Sequence, residues 1–154
     1  MGRDRRDDAG AATVELVALT LVLLLPIVYL VVAVSRVQAG AYAAEAAAYS
    51  AARGAVVAGL DALDSGADPA EALASARETA DAAAAVAVED FGSASSARVE
   101  LACEGECLAP GTAVTASVTV EVPLPGLPAV VRAALPAAVT LSASASSPVD
   151  GYAP

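Results

Sequence analysis

The feature that most constrains this chain is an uncharged run of 19 residues, Leu16 to Val34, in which fourteen positions are Leu, Ile or Val. A helix over that run is about 28 Å long at about 1.5 Å per residue, close to the roughly 30 Å of a bilayer's hydrocarbon core. With about −0.3 to −0.6 kcal/mol for each aliphatic side chain, insertion is favourable by about 5 kcal/mol. Thr20, Pro26 and Tyr29 reduce that figure without reversing it. The run therefore reads as a transmembrane helix. Pro26 removes one backbone donor and frees the carbonyl of Val22, which predicts a kink or a loosened turn at mid-span, unless the proline is simply tolerated there. Arg3, Arg5 and Arg6 precede the run and only Arg36 and Arg53 follow closely. This bias predicts a single pass through the cell membrane with the N-terminus cytoplasmic and the C-terminal domain extracytoplasmic. The competing reading is a secretory signal peptide with a small-residue cleavage pattern at Ala39-Gly40-Ala41. Such peptides have apolar cores of about 7 to 15 residues, shorter than this one, and a charge stands at the front edge of this run. The pair Arg5-Arg6 resembles a twin-arginine signal, but Asp7-Asp8 fits it poorly.

The rest of the chain is rich in Ala from about residue 41 to 88, and together with the aliphatic run this raises the apolar content to 57%. The net charge of −10 is unevenly spread. Three Arg and three Asp cancel within residues 1–9, Glu15 cancels Arg36, and from residue 37 onward four Arg face fourteen acids. An acidic domain with few aromatics excludes nucleic acid as a partner, because phosphate binding needs clustered Lys or Arg and often stacking rings. There is no His, so His-based triads and the usual metal catalysts are missing. Gly10, Gly40, Gly54 and Gly59 are isolated and form no phosphate loop. A sugar platform would need aromatics, which make up only 3% of the chain. The chain is accordingly read as no enzyme, with no cofactor and no small-molecule substrate.

Just before the run stands Asp7-Asp8-Ala9-Gly10-Ala11-Ala12-Thr13-Val14-Glu15. An ionised carboxylate carried toward the bilayer centre costs roughly 2 to 3 kcal/mol or more, so Glu15 needs compensation. The plain compensation is the helix macrodipole, worth about 0.3 to 1 kcal/mol near an N-terminus. The sharper one is a resemblance to a prepilin site, at which a prepilin peptidase cuts after Gly and leaves Glu as the fifth mature residue. Cleavage would then fall between Gly10 and Ala11, and the new amine on Ala11 could be neutralised in assembly by Glu15 of a neighbouring subunit. Gly10 suits such a bond because its missing side chain lets the backbone approach a peptidase closely.

Gly-Ala-Ala-Thr-Val-Glu-Leu (10–16), followed by an aliphatic run containing Leu25-Pro26, resembles the TadE-like family of Tad (Flp) type IV pilus assembly proteins. The resemblance covers residues 8 to about 54, with a weaker strand pattern ending in Val139–Ala145. It implies a minor pilin or pseudopilin, structural or assembly-priming, with one N-terminal helix and a small extracytoplasmic domain. Its partners would be the prepilin peptidase, other Tad pilins, the assembly platform and the lipid bilayer. Major Flp pilins favour Glu-Tyr at the motif, whereas this chain has Glu15-Leu16, which with the large domain points to a minor subunit. The alternative is an uncleaved, membrane-anchored binding or adhesion module.

The expected fold class is α+β. Residues 1–10 form a cytoplasmic leader, 11–36 the transmembrane helix, 37–60 a helical stalk, and 61–154 the extracytoplasmic domain. Gly40, Ala44, Ala48 and Ala52 recur every four residues, either as a ridge for close helix packing or as an exposed Ala-rich stalk. Tyr42 and Tyr49 share a face suited to packing or interfacial anchoring. After a loop at 61–67, Asp68-Pro69-Ala70-Glu71 gives a helix start, and Gly92 ends that helix. Its buried stripe is predicted at Leu73, Ala76, Ala80, Ala84 and Ala87. From there the period shifts to two, giving three strands around Val99–Cys103, Val114–Val122 and Val139–Ala145, whose one apolar face the second helix covers. The apolar residues of Pro123–Pro136, among them Leu127, Val130 and Leu135, suggest a short amphipathic turn of helix. Cys103 and Cys107 bracket a Glu-Gly-Glu turn, and in an oxidising compartment they predict a disulfide, since C-x-x-x-C is neither a redox motif nor a zinc ligand set. Glu104 and Glu106 could recruit a cation or form a solvated acidic turn.

Overall fold

The computed structural model describes residues 4–92, 96–124, 126 and 138–150, with side chains from Ala12 onward. Helix α1 (Asp4–Asp64) is followed by α2 (Pro69–Phe91) and by strands β1 (Ala97–Cys103), β2 (Ala113–Pro123) and β3 (Ala138–Pro148). This is the α+β arrangement expected. The chain forms two compact units, Met1–Ser35 and Arg36–Pro154. The amphipathic turn anticipated in Pro123–Pro136 lies for the most part outside the described residues.

The helix junction shows why each helix stops where it does. The Ala67 N–H donates to the Ala62 carbonyl and the Gly66 N–H to that of Leu63, at 3.0 and 2.9 Å, with Gly66 at φ +91°. This pair of bonds is a Schellman closure, which needs a left-handed residue at its centre. The helix therefore runs to Asp64, past the start of the loop expected at 61–67. Asp68 then caps α2: its Oδ1 accepts from the N–H groups of Ala70 and Glu71 at 2.8 and 2.9 Å, while the Asp68 N–H donates back to Glu71 Oε2 at 3.4 Å. Pro69 occupies the first turn, where a missing N–H costs nothing. Gly92, left-handed at φ 58°, ends the helix and donates its N–H to Glu89.

Strands β1, β2 and β3 pair antiparallel in sequence order, with β2 central. On β2, Val114, Ala116, Val118, Val120 and Val122 are buried, and the alternate residues Thr115, Ser117 and Thr119 form the other face. The register places Val118 between Val99 and Ala143, so one face of the sheet is continuous apolar surface. The outer face is a hydroxyl ladder: Thr115 bonds Ser146 at 2.8 Å and Ser117 bonds Ser144 at 2.9 Å.

The core of the second unit is made largely of alanine. From α1 it takes Ala44, Ala47, Ala48, Ala51, Ala52, Ala55 and Val56, and from α2 Ala72, Ala76, Ala80, Ala84 and Val88. The largest fully buried side chains are Val118, Val120, Val122 and Val149. The residues read as a stalk thus supply one wall of this core; the Gly40/Ala44/Ala48/Ala52 ridge is buried and not an exposed stalk, and at Gly40 what it meets is the sheet, at Val122 and Leu141, instead of the helix expected. A second row, Ala43, Ala47, Ala51 and Ala55, is buried beside it. On α2 the fully buried stripe is Ala72, Ala76, Ala80, Ala84 and Val88, with Leu73 and Ala87 only half-buried. A strict four-residue repeat of small side chains places one straight row against its neighbours, which the predicted Leu73 and Ala87 do not continue. Tyr42 and Tyr49 do not join the core and are exposed.

Three glycines of α1 each meet a different element. A methyl at Gly40 would overlap the Val122 Cγ2 methyl and stand 3.1 Å from Leu141 Cδ1. A methyl at Gly59 would lie 2.6 Å from Leu108 Cδ1, whereas at Gly54 its nearest neighbour would be Thr79 Cγ2 at an ordinary 3.4 Å. Overpacking costs about 1 to 3 kcal/mol, and Gly to Ala in a helix interior gains about 1 kcal/mol in propensity. Thermal unfolding of the detergent-solubilised protein, followed by circular dichroism, should therefore show Gly40→Ala and Gly59→Ala lowering the midpoint and Gly54→Ala leaving it unchanged or raised. Equal effects at the three positions would contradict this packing.

Candidate functional site

The candidate site is the N-terminal part of α1, from the glycine at position 10 through the apolar run. Every described residue from Ala12 to Val32 is exposed, including Leu16, Leu19, Val22 and Leu25. α1 is the one helix among the described residues that is long and apolar enough to cross a membrane. Apolar surface on this scale, unsheltered by protein, calls for a lipid or helical environment. The structure is thus consistent with single-pass membrane anchoring.

Two hydroxyls in or beside that segment are satisfied locally. The Thr20 hydroxyl donates to the Leu16 carbonyl and the Ser35 hydroxyl to that of Val31, each at 2.8 Å. Back-bonding of this kind spares a hydroxyl the cost of standing unpaired in hydrocarbon. Helix α1 continues without a break through Pro26. Glu15 is exposed at the start of the apolar run. Gly10 and Ala11, the residues of the expected cleavage bond, belong to the helical segment beginning at Asp4, and their side chains lie outside the described set.

The second feature singled out in sequence is the cysteine pair. Cys103 and Cys107 form a disulfide, with Cα atoms 5.3 Å apart, closing the turn between β1 and β2. Gly105 provides the left-handed position in that turn at φ +90°. Glu104 and Glu106 are exposed, and among the described residues no group of three or more potential ligands could hold a metal ion.

Directly after the disulfide comes a residue that sequence reasoning missed. Leu108 has φ +64°, a left-handed conformation unfavourable for a side chain with a Cβ, yet it is buried against Gly59 of α1. The disulfide turn delivers a leucine into the hollow that a helix glycine leaves. Nothing in a Cys-Leu-Ala-Pro sequence announces a left-handed leucine; the available signal was Gly59, an isolated glycine in an otherwise Ala-rich helix.

The clefts beside α2 are lined by mixed charges. One of about 730 Å³ lies between the C-terminal half of α2 and β1, bordered by Asp81, Glu89, Arg98 and Glu121. These side chains are exposed on the faces of α2 and the sheet.

Comparison with protein-family models, curated proteins and solved structures returns no match for this chain.

A five-residue ring contributes about 2 kcal/mol through the unfolded state, and truncating a buried leucine costs about 2 to 5 kcal/mol. In chemical unfolding, replacing both Cys103 and Cys107 by Ser should therefore destabilise the protein by about 2 kcal/mol, and Leu108→Ala by at least as much. A Leu108→Ala variant as stable as the parent would show that the plug carries no stability.

Proposed function

We propose that this chain is a minor pilin-like subunit of the TadE-like kind, inserted in the cell membrane by the apolar half of α1 and processed by a prepilin peptidase between Gly10 and Ala11. The observation that carries the reading is the order Gly10, four small or apolar residues, Glu15, and then a helix whose residues are exposed throughout its apolar length. A helix with an uncovered aliphatic surface can lie in lipid and can also pack against other such helices when subunits bundle. Burying Glu15 among apolar helices carries a penalty that an amine offsets, and a cleaved chain presents that amine at Ala11 of the neighbouring subunit.

Orientation with the domain outside the cell is supported by two independent features. Arg residues are concentrated before the span, and disulfides persist in oxidising compartments, which suits Cys103–Cys107. The secretory alternative is disfavoured because Ala39-Gly40-Ala41 lies inside α1, with Gly40 packed against Val122 and Leu141. In this role the domain of Arg36–Pro154 is structural or assembly-priming, and its partners are other Tad pilins and the assembly platform.

The mature N-terminus tests the proposal. Mass spectrometry of protein isolated from its native membrane should find a chain beginning at Ala11. An intact leader would overturn processing and favour the uncleaved, membrane-anchored binding module. Glu15→Ala should still be cleaved but should fail to enter assemblies with partner pilins, read by co-purification and by piliation. Normal piliation in that variant would remove the role assigned to Glu15.

A further inference from the structure

We infer that the edge of β3 turned away from β2, unpaired among the described residues, is a strand-pairing surface for a second copy of this chain, the two β3 strands meeting antiparallel edge to edge over Ala138–Pro148. The inference stands on the domain alone and does not depend on cleavage at Gly10.

The two edges of the sheet are built differently. The β1 edge is short, seven residues from Ala97 to Cys103; it carries Arg98 and Glu100, it ends in the disulfide, and α2 packs against it. These are the ordinary devices by which proteins close a sheet edge to further pairing. β3 has neither the charges, the short length nor the disulfide, and α1 approaches only its inner face, with Gly40 near Leu141. The strand is eleven residues long, contains no charged residue, pairs with β2 in one-to-one register without a bulge, and has its only proline at the last position. Among the described residues its one strand partner is β2.

The chemistry of that edge selects its occupant. From residue 37 onward the chain holds fourteen acids against four Arg, so a second copy approaching by most faces meets like charge. The edge of β3 offers an approach without that repulsion. It also matches itself when reversed. Pairing over the full length, centred on Ala143, sets Leu141 opposite Ala145 on the inner face, and Thr140 opposite Ser146 and Ser142 opposite Ser144 on the outer face. At the centre of the strand apolar thus meets apolar and hydroxyl meets hydroxyl, the same kind of contact that the chain already makes at Thr115–Ser146 and Ser117–Ser144, and the mixed pair is Val139 opposite Ser147 toward the ends. Leu141, Ala143 and Ala145 are only half-buried, and a continuing sheet would cover them further. Eleven residues span about 37 Å of strand, a modest interface beside the roughly 800 Å² per partner of a stable complex. Confinement of both copies to one bilayer by their apolar helices raises the effective concentration and makes such a weak pairing sufficient.

The test uses the full-length protein in lipid vesicles. Ser142→Cys and Ser144→Cys copies, mixed and mildly oxidised, should form a cross-linked dimer. Adding Thr140→Lys to the Ser142→Cys copy and Ser146→Lys to the Ser144→Cys copy sets the two lysines directly opposite each other and should reduce the cross-linked fraction about tenfold, through like charge at the edge. Either lysine alone faces a hydroxyl and should leave the cross-linked fraction near that of the parent pair, with circular dichroism checking that each variant is folded. Absence of cross-linking between copies overturns the inference. So does a dimer that survives the paired lysines, as a pair held by transmembrane helices alone would, and so does cross-linking in native membranes to a different protein only.

Discussion

The packed unit depends on how closely α1 can approach its neighbours. At Gly40 there is no room for a β-carbon beside Val122, and at Gly59 the hollow is filled by Leu108. Between them the Ala rows present nothing longer than a methyl group. Helices faced with such small residues gain stability from dispersion at short range, since each buried side chain removes little area from water. An alanine core is therefore sensitive to spacing: one added carbon at a glycine separates surfaces that many methyl contacts hold together. The valines of β2 supply most of the remaining volume, and they lie on the central strand, where both helices and both outer strands can reach them.

The same helix shows how two environments are written into one periodic element. From Leu16 to Val34 its side chains are mostly large, aliphatic and exposed; from Gly40 to Gly59 the inward-facing ones are small and buried. Large branched side chains suit lipid, where every direction is apolar, and alanine suits a helix that must lie close to other backbone. The change in side-chain size marks the change of surroundings more sharply than hydropathy does, because alanine and leucine are both apolar.

This explains which features were legible in the sequence. The caps of α2 were readable because Asp68, Pro69, Glu71 and Gly92 act on backbone groups within a few residues of themselves. The strands were readable from the alternation of Val with Thr and Ser, and the disulfide from two cysteines flanking a short turn. The wall formed by residues 43–56 was only half legible. An alanine helix has nearly equal character on every face, so periodicity cannot say which rows are buried, and the second row at Ala43, Ala47, Ala51 and Ala55 emerged only from tertiary structure. The stripe of α2 was misplaced at its ends for the same reason, since Leu73 outweighs Ala72 on any hydrophobic scale although packing favours the smaller residue. Leu108 was illegible because its left-handed backbone is imposed by the closed turn before it and the glycine opposite it. At the candidate site, residue order carried the reading of Gly10 and Glu15, and the structure adds that the apolar surface following them is uncovered.

Charge then constrains how copies of such a chain can meet. Fourteen of the eighteen acids lie beyond the apolar run, so bringing apolar helices together also brings acidic domains together, and their repulsion is screened only beyond about 8 Å at physiological ionic strength. Contacts between copies are therefore favoured where the surface is neutral. On the sheet, neutral surface is concentrated on the outer face and on the β3 side, where Thr115, Ser117, Thr119, Thr140, Ser142, Ser144 and Ser146 form an uncharged hydroxyl field, with Arg98, Glu100 and Glu121 toward β1 and the end of β2. Hydroxyls retain their hydrogen bonds to water in a separated chain and exchange them for one another across strands at little net cost. A surface of this kind resists nonspecific adhesion yet permits pairing once the backbones are aligned.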